Sequence, residues 1–494
     1  MTISATSAPN GTTAMPKHED DPAAAPNNAI KPPAESHLLH RSFHDHPTSV
    51  TSTSNLVLTL SNGTKILDGC GGAAVSCLGY DPAYIQEISA AVTQQLASVP
   101  YVHTLSYTTP VAEELATHLL SHPDGSGRPN AHGLEKAYFI GSGSEAMDAA
   151  LKFARQYWFE LGRREKVHYV SRRQSYHGNT VGAMSVSFNV PRKAPYMDEG
   201  CLQVKNVSWV APAYQYQYAM EGEGEEEYSA RLVREVEEEF LRVGPERVVA
   251  FIAEPIVGAT SGAMVAPRGY FKGVREVCDR YDVLLILDEV MCGMGRTGTL
   301  FAFEQEGITP DLLTMGKCLG AGFAPIAAVL VGSKVVKGLR GGSGNVAHGH
   351  TYQSHPVSCA AALAVQKILR RDNLIARSKE MGVVLEKLLK KELGNMKYVG
   401  NIRGRGLFWA VEFVQDKQTR EPFAPEKTFG PRFQARVFAK GVAVYPGAGT
   451  VNGAKGDHAI VCPAYTVKEE ELKAIIKVMK EVYLEMEQEV DTRQ

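Results

Sequence analysis

The sequence predicts an open α/β fold around a mostly parallel central sheet, and two observations carry that prediction. From about residue 135 to 335, short apolar runs alternate with longer amphipathic stretches, the pattern of repeated strand–helix units. The runs are aliphatic or β-branched at consecutive positions, as strands must be when helices cover both faces of their sheet.

Taken in order, the runs at 137–140, 167–170, 248–253, 283–287 and 327–331 read as buried strands. Between them, Met147, Leu151, Ala154 and Trp158 fall at helical spacing, as do Val233, Val236 and Phe240. The Glu- and Gly-rich run 222–228 is expected to be a solvated loop leading into a helix at about 231–242. Gly341-Gly-Ser-Gly344 reads as a flexible loop, and no fixed-period repeat is present. The first 35 residues are rich in Ala, Pro, Ser, Thr and Asn and poor in large apolar groups, so a disordered tail is expected at 1–35. In sheets of this kind ligands bind in loops beyond the carboxyl ends of the strands, and the chemistry is expected there.

Bulk properties set limits on function. Of 494 residues, 44% are hydrophobic, enough for a large core and two domains. Lys+Arg total 52 against Asp+Glu 54, a balance that offers no general affinity for nucleic acid or anionic membranes. No apolar run approaches the roughly 20 residues of a membrane helix. Eight scattered cysteines form no CxxC pair and no Cys/His cluster at metal-ligand spacing, so free thiols in a reducing compartment are expected and no metal site. The first 40 residues hold no Arg and carry Glu19-Asp-Asp21, unlike a mitochondrial presequence, so the expected location is cytoplasmic.

Three segments carry chemistry. Gly141-Ser-Gly-Ser-Glu-Ala146 follows a strand and opens a helix, where small residues admit an anion to unpaired N–H groups and the positive dipole end. Ser142, Gly143 and Ser144 thus suit a phosphate, although a plain helix cap with Ser144 as N-cap explains the turn as well. Asp288 ends the apolar run Leu285-Ile-Leu, where burying an acid is costly unless it has a partner. That partner is either a Mg²⁺ ion or a protonated pyridine nitrogen, and no G-x-x-x-x-G-K-[ST] motif supports a nucleotide. Lys317 sits among glycine and apolar residues with no other charge between Asp311 and Lys334, and a desolvated lysine becomes an amine nucleophile. A phosphate cradle, a carboxylate for a ring nitrogen and a buried lysine are the parts of a pyridoxal 5′-phosphate (PLP) site. Tyr176, in Tyr176-His-Gly178, adds an aromatic ring able to stack on a flat cofactor.

These motifs occur in one order with Glu254-Pro255, Asp288-Glu-Val290, Gly295-Arg-Thr-Gly298, Gly316-Lys317 and Thr351-Tyr-x-x-His355-Pro356. Together they resemble the class III aminotransferases, the ω-aminotransferase group of fold-type I PLP enzymes, and the likeness spans nearly everything after the tail. The Asp288-Glu-Val-Met segment is nearer the ω-amino acid/amine:pyruvate branch than the ornithine enzymes. The resemblance implies roles residue by residue. Lys317 would carry the cofactor as a Schiff base and shuttle a proton, and Asp288 would keep the pyridine nitrogen protonated. Tyr176 would stack on one face of the ring, beside His177, with Val290 against the other. Ser142, Gly143 and Ser144 would bind the phosphate, and Glu254 would sit near the ring hydroxyl. Thr351 would reach the phosphate of a second subunit, implying a homodimer, and Arg403 would meet a substrate carboxylate, with Arg405 beside it as an alternative.

The implied fold has a large PLP-binding domain at 95–350. A smaller α+β domain would join 36–94 to 351–494. The implied reaction is ping-pong transfer of an amino group from an amine or ω-amino acid to an oxo acid, pyruvate or 2-oxoglutarate. A decarboxylase, aminomutase or racemase on the same scaffold is the nearest alternative. An inactive scaffold protein and a nucleotide-dependent enzyme are the more distant ones. In one place the chain departs from the commonest family pattern, reading Thr351-Tyr-Gln-Ser-His-Pro356 where Thr-Tyr-Ser-Gly-His-Pro or Thr-Tyr-Gln-x-His-Pro is frequent.

Overall fold

A computed structural model describes residues 36–45, 47–121, 132–197 and 202–492. The tail expected at 1–35 and Cys201 lie outside the described residues.

The central sheet has seven strands, labelled here in chain order. They are β1 (Leu134–Ile140), β2 (His168–Arg172), β3 (Val207–Val210), β4 (Val248–Ala253), β5 (Leu284–Asp288), β6 (Leu312–Met315) and β7 (Ala327–Gly332). Their order across the sheet is β1-β7-β6-β5-β4-β2-β3. All five runs expected as strands are present, and β3 and β6 complete the sheet. Every residue of β4, β5, β6 and β7 is buried, which is why these runs show no alternation in the sequence.

The two faces are nevertheless distinct. Ile252, Leu284 and Ile286 join one cluster with Met147, Ala150 and Trp158 of the helix Gly143–Glu160. Phe251, Leu285 and Leu287 join another with Val236 and Phe240 of the helix Glu225–Val243 and Val274 of the helix Tyr270–Arg280. One strand breaks the parallel rule: β7 is antiparallel to both β6 and β1. Only residues 316–326 connect β6 to β7, fewer than a helical crossover between parallel strands requires.

The two ends of the described chain meet. The strand Lys65–Asp68 pairs in parallel with Val442–Ala443, putting the N-terminal strands in one sheet with a C-terminal segment. A second sheet is C-terminal and antiparallel, made of β8 (Val399–Arg405), β9 (Phe408–Phe413), β10 (Tyr445–Val451) and β11 (Lys455–Val461) in the order β8-β9-β11-β10. Residue 94 lies inside the helix Pro82–Ser98, which begins at Pro82 with the Asp81 carboxylate accepting from Ala83 N at 2.8 Å. This helix packs on the helix Pro356–Arg371.

Two local expectations are corrected. The acidic run near residue 225 is helical, not a loop: the helix Glu225–Val243 starts with three glutamates in its first turn, where the dipole favours them. The Glu227 carboxylate accepts from Gly224 N at 3.0 Å and closes that end. The cap at the Gly141 turn is Ser142 and not Ser144. Ser142 is extended and its Oγ accepts from Glu145 N at 3.3 Å, while Ser144 lies inside the first turn.

Candidate active site

Five strands end at the same edge of the sheet, and each delivers one part of a single cavity. β1 leads into Gly141, Ser142, Gly143 and Ser144; β2 into Tyr176, His177 and Gly178; β4 into Glu254; β5 ends on Asp288 and leads to Val290; β6 leads into Lys317. All of these residues line a cavity of about 480 Å³. The topology thus brings together residues spread over more than 170 positions, as parallel sheets do at their carboxyl edge.

Hydrogen bonds fix the polar members. His177 Nδ1 meets Asp288 Oδ2 at 2.7 Å, the imidazole wholly enclosed, and Asp288 Oδ1 accepts from Val290 N at 3.0 Å. Glu254 accepts from Tyr176 N at 3.0 Å and from Gly258 N at 2.9 Å, and burial pushes its carboxyl above the usual range. The Arg172 guanidinium donates to the Glu254 carbonyl from beneath. Lys317 has φ +45°, a left-handed conformation rare outside glycine. Burial pushes its ammonium below its ordinary value, and Asp288 and Glu254 oppose that shift.

The cradle is shaped by close approach. A Cβ on Gly143 would meet Val290 Cγ1 at 2.8 Å. A Cβ on Gly178, at φ +133°, would meet Ser144 Oγ at 2.5 Å. Ser144 Oγ in turn accepts from Asn179 N at 3.1 Å, locking the helix start to the loop after β2. The residues fit PLP: a helix N-terminus for its phosphate, a carboxylate paired with a buried imidazole for its ring nitrogen, and an uncharged-prone amine for its aldehyde. His177 Nε2 is buried with no hydrogen-bond partner among the described residues.

Two sequence-predicted residues lie elsewhere. Thr351 is exposed, does not line this cavity, and its carbonyl accepts from Tyr101 Oη at 3.1 Å. Arg403 does not line the cavity either. On β8, its guanidinium pairs with the buried Glu412 of β9, donates to Ser261 O, and donates to Gly262 O at 2.8 Å and Asn401 Oδ1 at 3.1 Å. These bonds hold the Arg403 guanidinium within the framework, and it would have to break them to meet a substrate carboxylate. Arg405 pairs with Glu306 at 2.6 Å.

Sequence reasoning also missed parts of the wall. Val75, Ala259, Met291 and the segment Phe323-Ala-Pro-Ile326 line the cavity. Phe323 to Ile326 directly follow the Lys317 motif, a signal available in the sequence; Val75 comes from the far N-terminal segment and had none. Arg296, fully buried, donates to Leu407 O at 3.3 Å, Cys462 O at 3.0 Å and Pro463 O at 2.5 Å, tying the C-terminal sheet to the loop after β5.

Comparison with known proteins agrees with this geometry. The profile of the family "Aminotransferase class-III" matches residues 40–483. An uncharacterised aminotransferase of Schizosaccharomyces pombe is 44% identical over 90% of this chain and 94% of its own. Gamma aminobutyrate transaminase 3 of Solanum lycopersicum is 36% identical over 84% of this chain and 76% of its own. Among solved structures, a PLP-bound amine transaminase from an uncultivated Pseudomonas species superposes with a TM-score of 0.83 at 29% identity, over 92% of this chain and 99% of that one. The chain belongs to the class III aminotransferases of fold type I, enzymes that transfer amino groups with pyridoxal 5′-phosphate.

Proposed function

We propose that this aminotransferase moves an amino group from an amine or ω-amino acid to pyruvate or 2-oxoglutarate, with Lys317 as the reacting amine. The supporting observation is the convergence of Lys317, Asp288 and Glu254 in one cavity, with burial shifting the lysine toward its neutral form. When bound, PLP supplies an aldehyde that takes up the amino group and a protonated ring that withdraws electrons. Lys317 Nζ would take the proton from the substrate carbon bearing the nitrogen and hand it to the cofactor carbon that receives that nitrogen. Asp288 holds the proton on the ring nitrogen, and the His177 bond at 2.7 Å fixes its carboxylate for that task. Backbone N–H groups and hydroxyls of Ser142, Gly143 and Ser144 hold the phosphate. Tyr176 and Val290 confine the ring from its two faces, and Glu254 stands by the ring hydroxyl.

In this reading the active unit is a homodimer in which Thr351 serves the phosphate site of the second copy. That is consistent with a threonine exposed on the single chain. The proposed division keeps 95–350 as the large PLP-binding domain, and the central sheet at 134–332 supports it. The smaller domain joins the N-terminal strands to the C-terminal sheet. No described helix is long and apolar enough to cross a membrane.

The test is a visible spectrum of the purified holoenzyme with a panel of amines, with sedimentation of the same sample to read the dimer. A band near roughly 410–430 nm that moves toward about 330 nm with a donor is expected, and Lys317→Ala should lack the starting band. A protein that stays colourless with added PLP, or a Lys317→Ala variant with an unchanged spectrum, would sink the assignment of Lys317.

A further inference from the structure

With Arg403 bound to Glu412, a different guanidinium lies against the cavity wall and nothing above accounts for it. Arg192 lies in the short helix Val190–Lys193, and its guanidinium carbon sits 4.8 Å from the centre of the Tyr176 ring, the aromatic that lines the cavity. It is half-buried, and no carboxylate among the described residues pairs with it. Tyr445 at the start of β10 lies within electrostatic reach of Arg192, Arg41 and Tyr176.

The base under Arg192 is rigid. Asn189 Oδ1 accepts from Arg192 N at 3.4 Å. The adjacent Lys193 is buried, donating to Ser187 O at 2.9 Å and Ser185 O at 3.3 Å with its ammonium 4.4 Å from the Trp209 ring centre. Ser187 Oγ accepts from His177 N at 2.8 Å, and Phe188 N donates to Ser175 O at 3.0 Å. The segment bearing Arg192 is thus stitched to the loop that carries Tyr176 and His177. A cation fixed on an aromatic face, partly desolvated and lacking an internal anion, is a receptor for a carboxylate.

We propose that Arg192 is the specificity-determining residue that binds the carboxylate of the amino donor and of the oxo acid. The substrate carboxylate would lie on the Arg192 side of the Tyr176 ring; this rests on the aminotransferase reading of the cavity. Arg192 and Arg41 would then select amino acids over simple amines, while Arg403 stays in the framework.

The test uses the PLP-loaded enzyme and matched donors with and without a carboxylate, 4-aminobutyrate against butylamine and alanine against isopropylamine. Single-turnover loss of the visible cofactor band gives kcat/KM for each. Arg192→Met should lower it roughly 10–100-fold for the two amino acids and leave both amines within about threefold. Arg192→Lys should recover part of the loss. Calorimetric titration with butyrate, which has no amine to react, should show weaker binding by a similar factor in Arg192→Met. Equal change for both members of each pair, or unchanged butyrate affinity, would overturn the proposal. If the unmodified enzyme converts no donor, the aminotransferase reading fails for these substrates, and the butyrate titration still decides Arg192.

Discussion

The guanidinium of Arg403 has its donors committed inside the protein, to Glu412, Ser261, Gly262 and Asn401, with the Tyr214 ring 4.9 Å from its centre. Tyr214 also donates to Glu412, so a carboxylate 1% exposed depends on two partners from different segments. Removing one partner of a buried pair strands the other charge, and Arg403→Met should destabilise the protein by about 3–5 kcal/mol. Because the two side chains share the effect, Arg403→Met with Glu412→Met should lose less stability than the two single changes added. Urea unfolding of the four proteins measures this. An unchanged midpoint in Arg403→Met, together with a selective loss of carboxylate substrates, would return Arg403 to the substrate. Arg192 presents the opposite case, a guanidinium with an aromatic neighbour and no carboxylate partner among the described residues, on a segment whose sequence shows nothing of that geometry.

Among elements, the start of the helix Gly143–Glu160 matters most to the site, because its free N–H groups are useful only if an anion can reach them. Reach is set by the loop after β2, whose Gly178 backbone crosses over Ser144 with no room for a side chain. Gly178→Ala would place a Cβ 2.5–2.8 Å from Ser144 and force a left-handed alanine. That strain of about 1–3 kcal/mol should weaken PLP binding roughly 10–100-fold while the chain still folds. Titrating the apoenzyme with PLP and following the visible band reads the constant; wild-type affinity would show that the two loops do not depend on each other.

At the scale of the whole molecule, buried histidines couple folding to pH. His458, on β11, is fully buried, and burial with the charge of Arg403 pushes its imidazole down to about 3. His118 is pushed down to about 4 by burial and by Arg370. Between the ordinary histidine value near 6.5 and these values, the unfolded chain binds protons that the folded chain does not, so stability falls as pH falls. The slope from His458 is at most about 1.4 kcal/mol per pH unit. His458→Gln should be less stable at pH 7 yet flatter between pH 6.5 and 4, as read by thermal unfolding across that range. A slope equal to the wild type would mean that His458 charges within the fold.

The sequence by itself determined the central sheet and the chemistry at its edge. Strands buried on both faces must be written as continuous apolar runs, and 248–253 became a strand residue for residue. Polar groups that interrupt such runs are conspicuous because burial makes them costly, which is how Asp288 and Lys317 stood out. Tertiary structure alone decided the rest. The antiparallel direction of β7 depends on how far eleven residues can reach, the pairing of Lys65–Asp68 with Val442–Ala443 on a closure of the chain, and the cap at Ser142 on dihedrals that Ser144 shares in composition but not in geometry. The fate of an arginine is decided in the same way. Arg403 and Arg192 are the same residue type, and only the fold decides that one meets a buried carboxylate and the other the ring of Tyr176.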